Sequence, residues 1–456
     1  MFIYINIYFM DSIILPWHKS DVWRKAWCKN FILQKLFSNK EVKFQIEEEW
    51  RSVLVFSDWE IKYWLTCNKN KIPDNLDFIL LTDKRPTLES LKKWEIKFKQ
   101  WLKHPKIKKY SNDDIINSWN RNFTFIEEDK TKKINWLRKP QIWAIYSWLS
   151  HIKTSKEIWT IVLPTWTWKT ETMLALLIAW KLEKLLIVVP SKSLRLQLFE
   201  KFINLWLLEE FEIINNNCIY PKVWILKEKF SDINELKDFL DNTNVIIATM
   251  NILTDEPPEN QQIISEACSN IFIDEAHHSK AITWESFCKN FSKEKILQFT
   301  ATPFRNDNKR LDWNIIFNFS LKEAQNDWYF TNINFIPVKE YNSSNWDLKI
   351  AEVWVKKLRD DISKGKNHIL MARCENKKHA MNVFEIYKKH SDLNPVLVYS
   401  NIKWERDILE SIKNKEHKII VAVDMLWEGF DLPELKIACF GLIVKSVWLR
   451  WLNFPI

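Results

Sequence analysis

Glycine is nearly missing from this chain, with 3 in 456 residues, where average usage of roughly 7% would supply about 32. A domain with many turns needs residues that tolerate positive φ, so this count excludes an ordinary glycine usage for any turn-rich fold. Long apolar runs are missing too. None reaches the roughly 18 residues that span a bilayer, which argues against a membrane-crossing helix. The seven cysteines, at 28, 67, 218, 268, 288, 374 and 439, include no Cys-x-x-Cys pair. That pattern signals neither a zinc site nor a disulfide framework, and reduced thiols in a cytoplasmic protein are the expectation. Internal repeats and low-complexity tracts are also lacking.

What the chain has in excess is tryptophan, with 27 residues; 27 plus 3 glycines makes 30, close to the ordinary glycine complement. Tryptophan cannot replace glycine where φ is positive. The reading that reconciles the two counts is that most tryptophan letters stand where the chain has glycine. The codon UGA is read as Trp under one genetic code and as Gly under another, and translation with the wrong table gives this composition. Hydrophobic residues are 46% and charged residues 27%, as in globular proteins, and the length suggests two or three domains. The net charge of +9 is spread along the chain, which fits a polyanionic partner without specifying one. The opening MFIYINIYFMDSIILPW lacks a basic start and a small-residue cleavage site; it reads as mature chain or as an over-long gene start with Met10 as another start, not as a signal peptide.

Residues 1–130 are Lys-rich and carry no chemical motif, with helical periodicity expected near 85–105 (LESLKKWEIKFKQWLKH). From about 131 short apolar runs alternate with helical segments: TIVLP, ETMLALLIAWKL, KLLIVVP, SLRLQLFEKFINL, NVIIATM, NIFIDEA, KILQFTATP. A second series follows, with HILMARC, PVLVYS, ERDILESI, KIIVAVDM and KIACFGLIV. Buried strands between amphipathic helices describe α/β domains with parallel sheets. The expected organisation is an N-terminal accessory region at 1–130, a nucleotide-binding domain at 131–325, a polar linker at 326–350 and a second α/β domain at 351–456.

The strand TIVLP runs into Thr165-Trp166-Thr167-Trp168-Lys169-Thr170-Glu171 and then a helix. Lys-Thr opening a helix after a strand is where phosphates are cradled, with the lysine on the β/γ-phosphates and the Thr170 hydroxyl on Mg²⁺. Two indoles would fill the space that backbone N–H groups need. With glycine at 166 and 168 the run becomes T-G-T-G-K-T, a Walker A motif. At IFIDEAHH an apolar strand ends in Asp274 and Glu275. Asp274 is suited to hold Mg²⁺ and Glu275 to deprotonate the attacking water.

These residues carry a resemblance to the DEAD/DEAH-box superfamily 2 helicases and translocases, over roughly 131–445. It is strongest to the bacterial branch that includes type III restriction subunits and excision-repair-type helicases. Leu137-Arg138-Lys139-Pro140-Gln141 resembles the segment whose glutamine, here Gln141, reads adenine. Val189-Pro190-Ser191 with Arg195 and Gln197, and then Ala248-Thr249, resemble motifs that touch the nucleic-acid backbone. Asp274-Glu275-Ala276-His277 is similar to the DEAH box. Thr300-Ala301-Thr302-Pro303-Phe304-Arg305 resembles the motif that couples hydrolysis to strand movement, which implies coupling roles for His277, Thr300 and Thr302. Met371-Ala372-Arg373 stands where a further nucleic-acid motif would, and Val423 to Asp431 resembles motif V, implying that Gly429 and Asp431 serve the nucleotide.

The resemblance implies two RecA-like domains with a nucleotide between them and a nucleic-acid strand across both. ATP and Mg²⁺ would be the cofactors and DNA, in preference to RNA, the partner. Trp166, Trp168 and Trp427 fall on family glycines. Trp143 and Trp404 fall where a small residue suits a helix packing position or a turn, whereas Trp94, Trp101 and Trp284 read as genuine. The family pattern Q-x-x-G-R-x-x-R is replaced by KSVWLRWLNFPI, with Arg450 as the available arginine, which reads as truncation or a frameshift. A non-catalytic nucleic-acid-binding remnant is therefore the alternative reading. A P-loop ATPase of another class, such as a small-molecule kinase, is the other rival, and the motif V match argues against it. His277 and His278 lack a third metal ligand and suit a structural or coupling role, and Arg305 suits phosphate contact and helix capping equally.

Overall fold

The computed structural model describes residues 11–24, 29–50, 53–58, 60–69, 75–93, 95–129, 131–132, 135–152, 154, 156–164, 169–276, 286–301, 314–329, 334, 336–342, 345–399, 405–423, 432 and 434–440. The chain forms two compact units. The first is Met1–Ile161, Trp168–Thr300 and Trp313–Phe317; the second is Val162–Thr167, Ala301–Asp312 and Asn318–Ile456.

The first unit opens with eight strands: β1 (Asp11–Leu15), β2 (His18–Trp23), β3 (Phe31–Phe37), β4 (Lys40–Trp50), β5 (Val53–Asp58), β6 (Ile61–Thr66), β7 (Phe78–Thr82) and β8 (Phe98–Lys103). Six of them form one sheet in the order β1-β4-β5-β6-β7-β8, antiparallel except at β6–β7. Its apolar side chains, among them Leu15, Leu54, Phe56, Tyr63, Leu65 and Leu80, form a core of their own. The helix expected near 85–105 is confined to Leu88–Lys92, whose N-terminus is capped by Thr87. The FKQWLK segment is strand β8 instead, because pairing with β7 buries Trp101, whose Nε1 donates to the Pro16 carbonyl at 2.9 Å. Over six residues, helical and strand periodicity are hard to separate, and long-range pairing decides.

Strands β2 and β3 belong elsewhere. They extend a nine-stranded sheet built on β9 (Trp159–Val162), β10 (Leu185–Val189), β11 (Lys222–Ile225), β12 (Val245–Thr249), β13 (Asn270–Ile273), β14 (Ile296–Thr300) and β15 (Asn314–Asn318). The order is β15-β9-β14-β13-β10-β12-β11-β3-β2. Strand β3 runs antiparallel to β11, with Ile32 opposite Trp224. Ile32 packs into the core of this sheet, while Phe37, five positions on, packs into the six-stranded core. Residues on both sides of position 130 thus share one compact unit. A bare β11 would be an open edge, and β3 covers it.

The central strands are parallel, with Val188 opposite Ile273, Val189 opposite Thr249 and Ile273 opposite Gln298. Leu185–Val189, Val245–Thr249 and Asn270–Ile273 are buried throughout, as strands covered on both faces must be. Helices Lys169–Ala179, Lys192–Asn204, Ile233–Asp241 and Pro258–Ala267 connect them.

The second unit holds β16 (Ile369–Arg373), β17 (Val396–Val398), β18 (Ile419–Ala422) and β19 (Leu435–Phe440), in the order β17-β18-β16-β19 with every pair parallel. Its core joins these strands to helices Trp346–Ser363 and Lys377–Tyr387. The helix Trp346–Ser363 begins inside the stretch read from sequence as linker. Both units therefore contain the expected α/β arrangement with parallel strands, to which the first unit adds a mostly antiparallel N-terminal sheet. Among the described residues no helix is long and apolar enough to cross a membrane.

Candidate active site

The motif residues converge on one edge of the parallel sheet. Strand β9 leads toward the helix that opens at Lys169; Ser191 follows β10, Thr249 closes β12, Asp274 follows β13 and Thr300 closes β14. These five strands are neighbours in the sheet, and in open parallel sheets ligands bind beyond the carboxyl ends of the strands.

Lys169 makes the central contacts. Its Nζ donates to Glu275 Oε1 and lies 3.7 Å from Asp274 Oδ1, with all three side chains at most 14% exposed. Asp274 is fixed by its backbone N–H to the Val188 carbonyl at 2.9 Å, and its Oδ1 accepts the Glu275 N–H at 3.0 Å. Burial raises the Asp274 carboxyl to about 6; Lys169 opposes the shift, and the Glu275 charge adds to it. Glu275 has a φ of +48°, a left-handed conformation uncommon for a non-glycine residue. Thr170 and Glu171 follow Lys169 in the first helical turn. Glu171 is buried; its Oε1 accepts from Lys201 at 3.4 Å, and burial raises its pKa. Sequence reasoning missed Lys201, because a lysine at the tenth position of an amphipathic helix carries no pattern that separates it from a solvated one.

Gln141 is buried near the start of helix Lys139–His151, and its Oε1 accepts the Arg138 N–H at 2.7 Å. Ser191 caps helix Lys192–Asn204 by accepting from the Leu194 N–H, and Pro190 is half-buried beside it. Thr249 is buried at the start of helix Met250–Thr254.

Arg195 departs from expectation. Its side chain turns inward, 5% exposed, and Nη1 donates to the Leu226 carbonyl at 2.7 Å. Burial removes this guanidinium from the surface, so it acts as a brace between the helix and the end of β11. Trp143 also departs: it is 55% exposed on its helix and occupies no packing position. Arg373 closes β16 in the second unit. Thr165, Trp166, Thr167, Trp168, His277, His278, Thr302, Arg305, Trp404, Trp427, Gly429, Asp431 and Arg450 lie outside the described residues, as do Trp94 and Trp284. Among the described residues no group of three or more His, Cys, Asp or Glu side chains forms a metal cage.

Residues 134–305 match the family described as "Type III restriction enzyme, res subunit". A curated relative, a 51.5 kDa protein of a Lactococcus phage, is 24% identical over 238 residues, 47% of this chain and 52% of that protein. The chain therefore spans about half the length of that relative. Similar solved structures include a Mycobacterium smegmatis helicase Lhr bound to ssDNA and AMP-PNP (14% identity, 65% of this chain and 41% of that one, TM-score 0.42). An ATP-dependent Type ISP restriction-modification enzyme, LlaBIII, bound to DNA matches at 16% identity over 68% of this chain and 26% of its own, with a TM-score of 0.42. The Pyrococcus furiosus Hef helicase domain matches at 16% identity over 68% and 92%, with a TM-score of 0.40.

Proposed function

We propose that this chain is an ATP-dependent helicase or translocase of superfamily 2, which couples ATP hydrolysis to movement on nucleic acid, DNA in preference to RNA. The observation that carries the reading is the meeting of Lys169, which opens the helix after β9, with Asp274 and Glu275 at the carboxyl end of β13, two strands away in the same sheet. The match of residues 134–305 to the restriction-subunit family supports it.

In this proposal Lys169 moves its ammonium onto the β/γ-phosphates, a charge-assisted contact that a neutral residue cannot make. That exchange frees the Glu275 carboxylate to take the proton of the attacking water. Thr170 and Asp274 supply a hydroxyl and a carboxylate oxygen, a donor set that suits Mg²⁺ held by few protein ligands together with substrate phosphates. When bound, the ion neutralises phosphate charge. The loop before Lys169 wraps phosphate with backbone N–H groups only if positions 166 and 168 are glycine, and this recoding is part of the proposal. Gln141 orients the adenine side from its helix start; Gly429 and Asp431, the other residues read as serving the nucleotide, lie outside the described residues. Ser191 and Arg373 offer sequence-independent contacts to the phosphate backbone, whereas Thr249, buried like Arg195, does not.

The test is steady-state phosphate release by the chain with glycine at 166 and 168, with and without DNA or RNA. Hydrolysis that rises with nucleic acid supports the proposal. Hydrolysis indifferent to every nucleic acid leaves an ATPase alone, and none under any condition favours a binding remnant.

A further inference from the structure

We infer that positions 206 and 328 are glycine in the protein that its own cells make. The inference shares the recoding idea used for the phosphate loop but rests on backbone conformation at sites outside it.

Trp206 has φ +39° and ψ −125°. The Leu208 N–H donates to the Leu205 carbonyl at 3.0 Å, which closes a four-residue turn with position 206 second. A φ near +60° and ψ near −120° at that place defines a type II′ turn, the mirror image of type II, where glycine dominates. This is not the left-handed helical region that other residues visit, because ψ there is positive. A β-carbon at 206 is strained, and the indole it carries is 43% exposed, with Lys201 Nζ 5.2 Å from the ring.

Trp328 has φ +62° and follows helix Leu321–Asn326. Its N–H donates to the Gln325 carbonyl at 3.2 Å, and the next N–H, of Tyr329, donates to the Ala324 carbonyl at 2.9 Å. That pair of bonds is the Schellman ending, whose left-handed residue is usually glycine. The same chain builds the same ending after helix Trp346–Ser363. There Gly365 has φ +76°, its N–H bonds Ile362 at 2.9 Å, and that of Lys366 bonds Asp361 at 3.0 Å. Lys181, Glu212 and Lys415 also take left-handed φ values and make the same pair of bonds, so the helix ending alone does not demand glycine. What separates Trp328 is an indole 89% exposed to water, which combines backbone strain with unburied apolar surface.

Other tryptophans are used by the fold. Trp101 and Trp119 are 6% and 2% exposed, and their Nε1 atoms donate to Pro16 and Ile219 carbonyls at 2.9 and 2.8 Å. The written tryptophans therefore divide into two populations: Trp101 and Trp119 are tryptophan, whereas 206 and 328 are glycine.

The experiment is tandem mass spectrometry of peptides from the protein purified from cells that carry its gene, read at 101, 119, 166, 168, 206 and 328. Glycine at 206 and 328 with tryptophan at 101 and 119 is expected. Tryptophan at 206 or 328, or glycine at 101 or 119, overturns the inference. Glycine at 166 and 168 with tryptophan at 206 and 328 overturns it while leaving the phosphate-loop reading intact; the reverse pattern sustains it and removes that reading. A second readout uses the recombinant chain. Trp206→Gly and Trp328→Gly should each raise the folded-to-unfolded ratio about threefold to tenfold, from relief of positive-φ strain. Trp101→Gly should lower it. An unchanged or lower ratio in the first two variants overturns the inference.

Discussion

The Lys169 ammonium donates to the Glu275 carboxylate, and the same cation lies 3.7 Å from Asp274. One lysine at the start of a helix thus balances two adjacent carboxylates at the end of β13, all within a largely buried pocket of charge. Removing any one of the three changes the charge that the other two must carry.

Glu275→Gln should preserve ATP binding and lower hydrolysis at least about 100-fold, the range that general-base catalysis supplies. The change keeps shape and leaves Asp274 in place. Equilibrium binding of a fluorescent ATP analogue alongside phosphate release separates the two effects. Equal hydrolysis by parent and variant removes Glu275 from the mechanism.

Lys169→Ala should behave differently. It takes the positive charge from the phosphates and strands two buried carboxylates, so nucleotide affinity falls. Folding stability should fall by about 3 kcal/mol, as when one partner of a buried pair is lost. Denaturant titration and nucleotide binding on the same preparation read both. A variant that binds ATP as tightly as the parent contradicts the role given to Lys169.

Stimulation by nucleic acid should fade with salt, because contacts to phosphates release counterions. Phosphate release with DNA or RNA, measured from about 50 to 200 mM salt, should drop steeply while the basal rate holds. A stimulated rate indifferent to salt would argue that phosphate contacts do not carry the interaction.

Ile32→Ala tests whether the N-terminal strands are integral to the parallel sheet. Ile32 is fully buried in the core that contains Trp224, Leu186 and Val188, so the cost should be about 2–5 kcal/mol. Urea denaturation checks it. A loss below about 0.5 kcal/mol, the range of a surface substitution, would place β3 outside the cooperative unit.

His104 should make the N-terminal sheet sensitive to acid. Its ring stacks on Phe37 at 3.9 Å, packs edge-on to Trp101, and accepts the Lys106 N–H at Nδ1. Burial, with Lys106, His18 and Lys40 nearby, lowers its pKa from 6.5 to about 4. A depressed pKa means that the unfolded chain binds the proton more readily, so stability is full above about 6.5 and is lost as pH falls toward about 4. Denaturation midpoints compared at about pH 7 and 4.5 should fall less for His104→Leu than for the parent. An equal fall in both would assign the acid sensitivity to other groups.

The sequence by itself determined the alternation of buried strands and helices from 159 onward, since runs such as LLIVV and VIIAT leave no polar face for solvent. It also singled out Lys169, Thr170, Asp274 and Glu275, because a helix-opening Lys-Thr and a strand-ending Asp-Glu are local patterns. That Lys169 meets both carboxylates, more than a hundred positions away, was decided by the order of β9, β14 and β13 in the sheet. Tertiary structure alone decided three further matters. Strand β3 left the N-terminal sheet to cover β11, FKQWLK became a strand because β7 offered it partners, and Arg195 turned inward to Leu226. Each depends on which edge or cavity a distant segment presents, and no short-range pattern of residues encodes that. The backbone also separated tryptophans that composition could only count: Trp101 and Trp119 fill space and satisfy their N–H groups, whereas 206 and 328 occupy turns that a β-carbon strains.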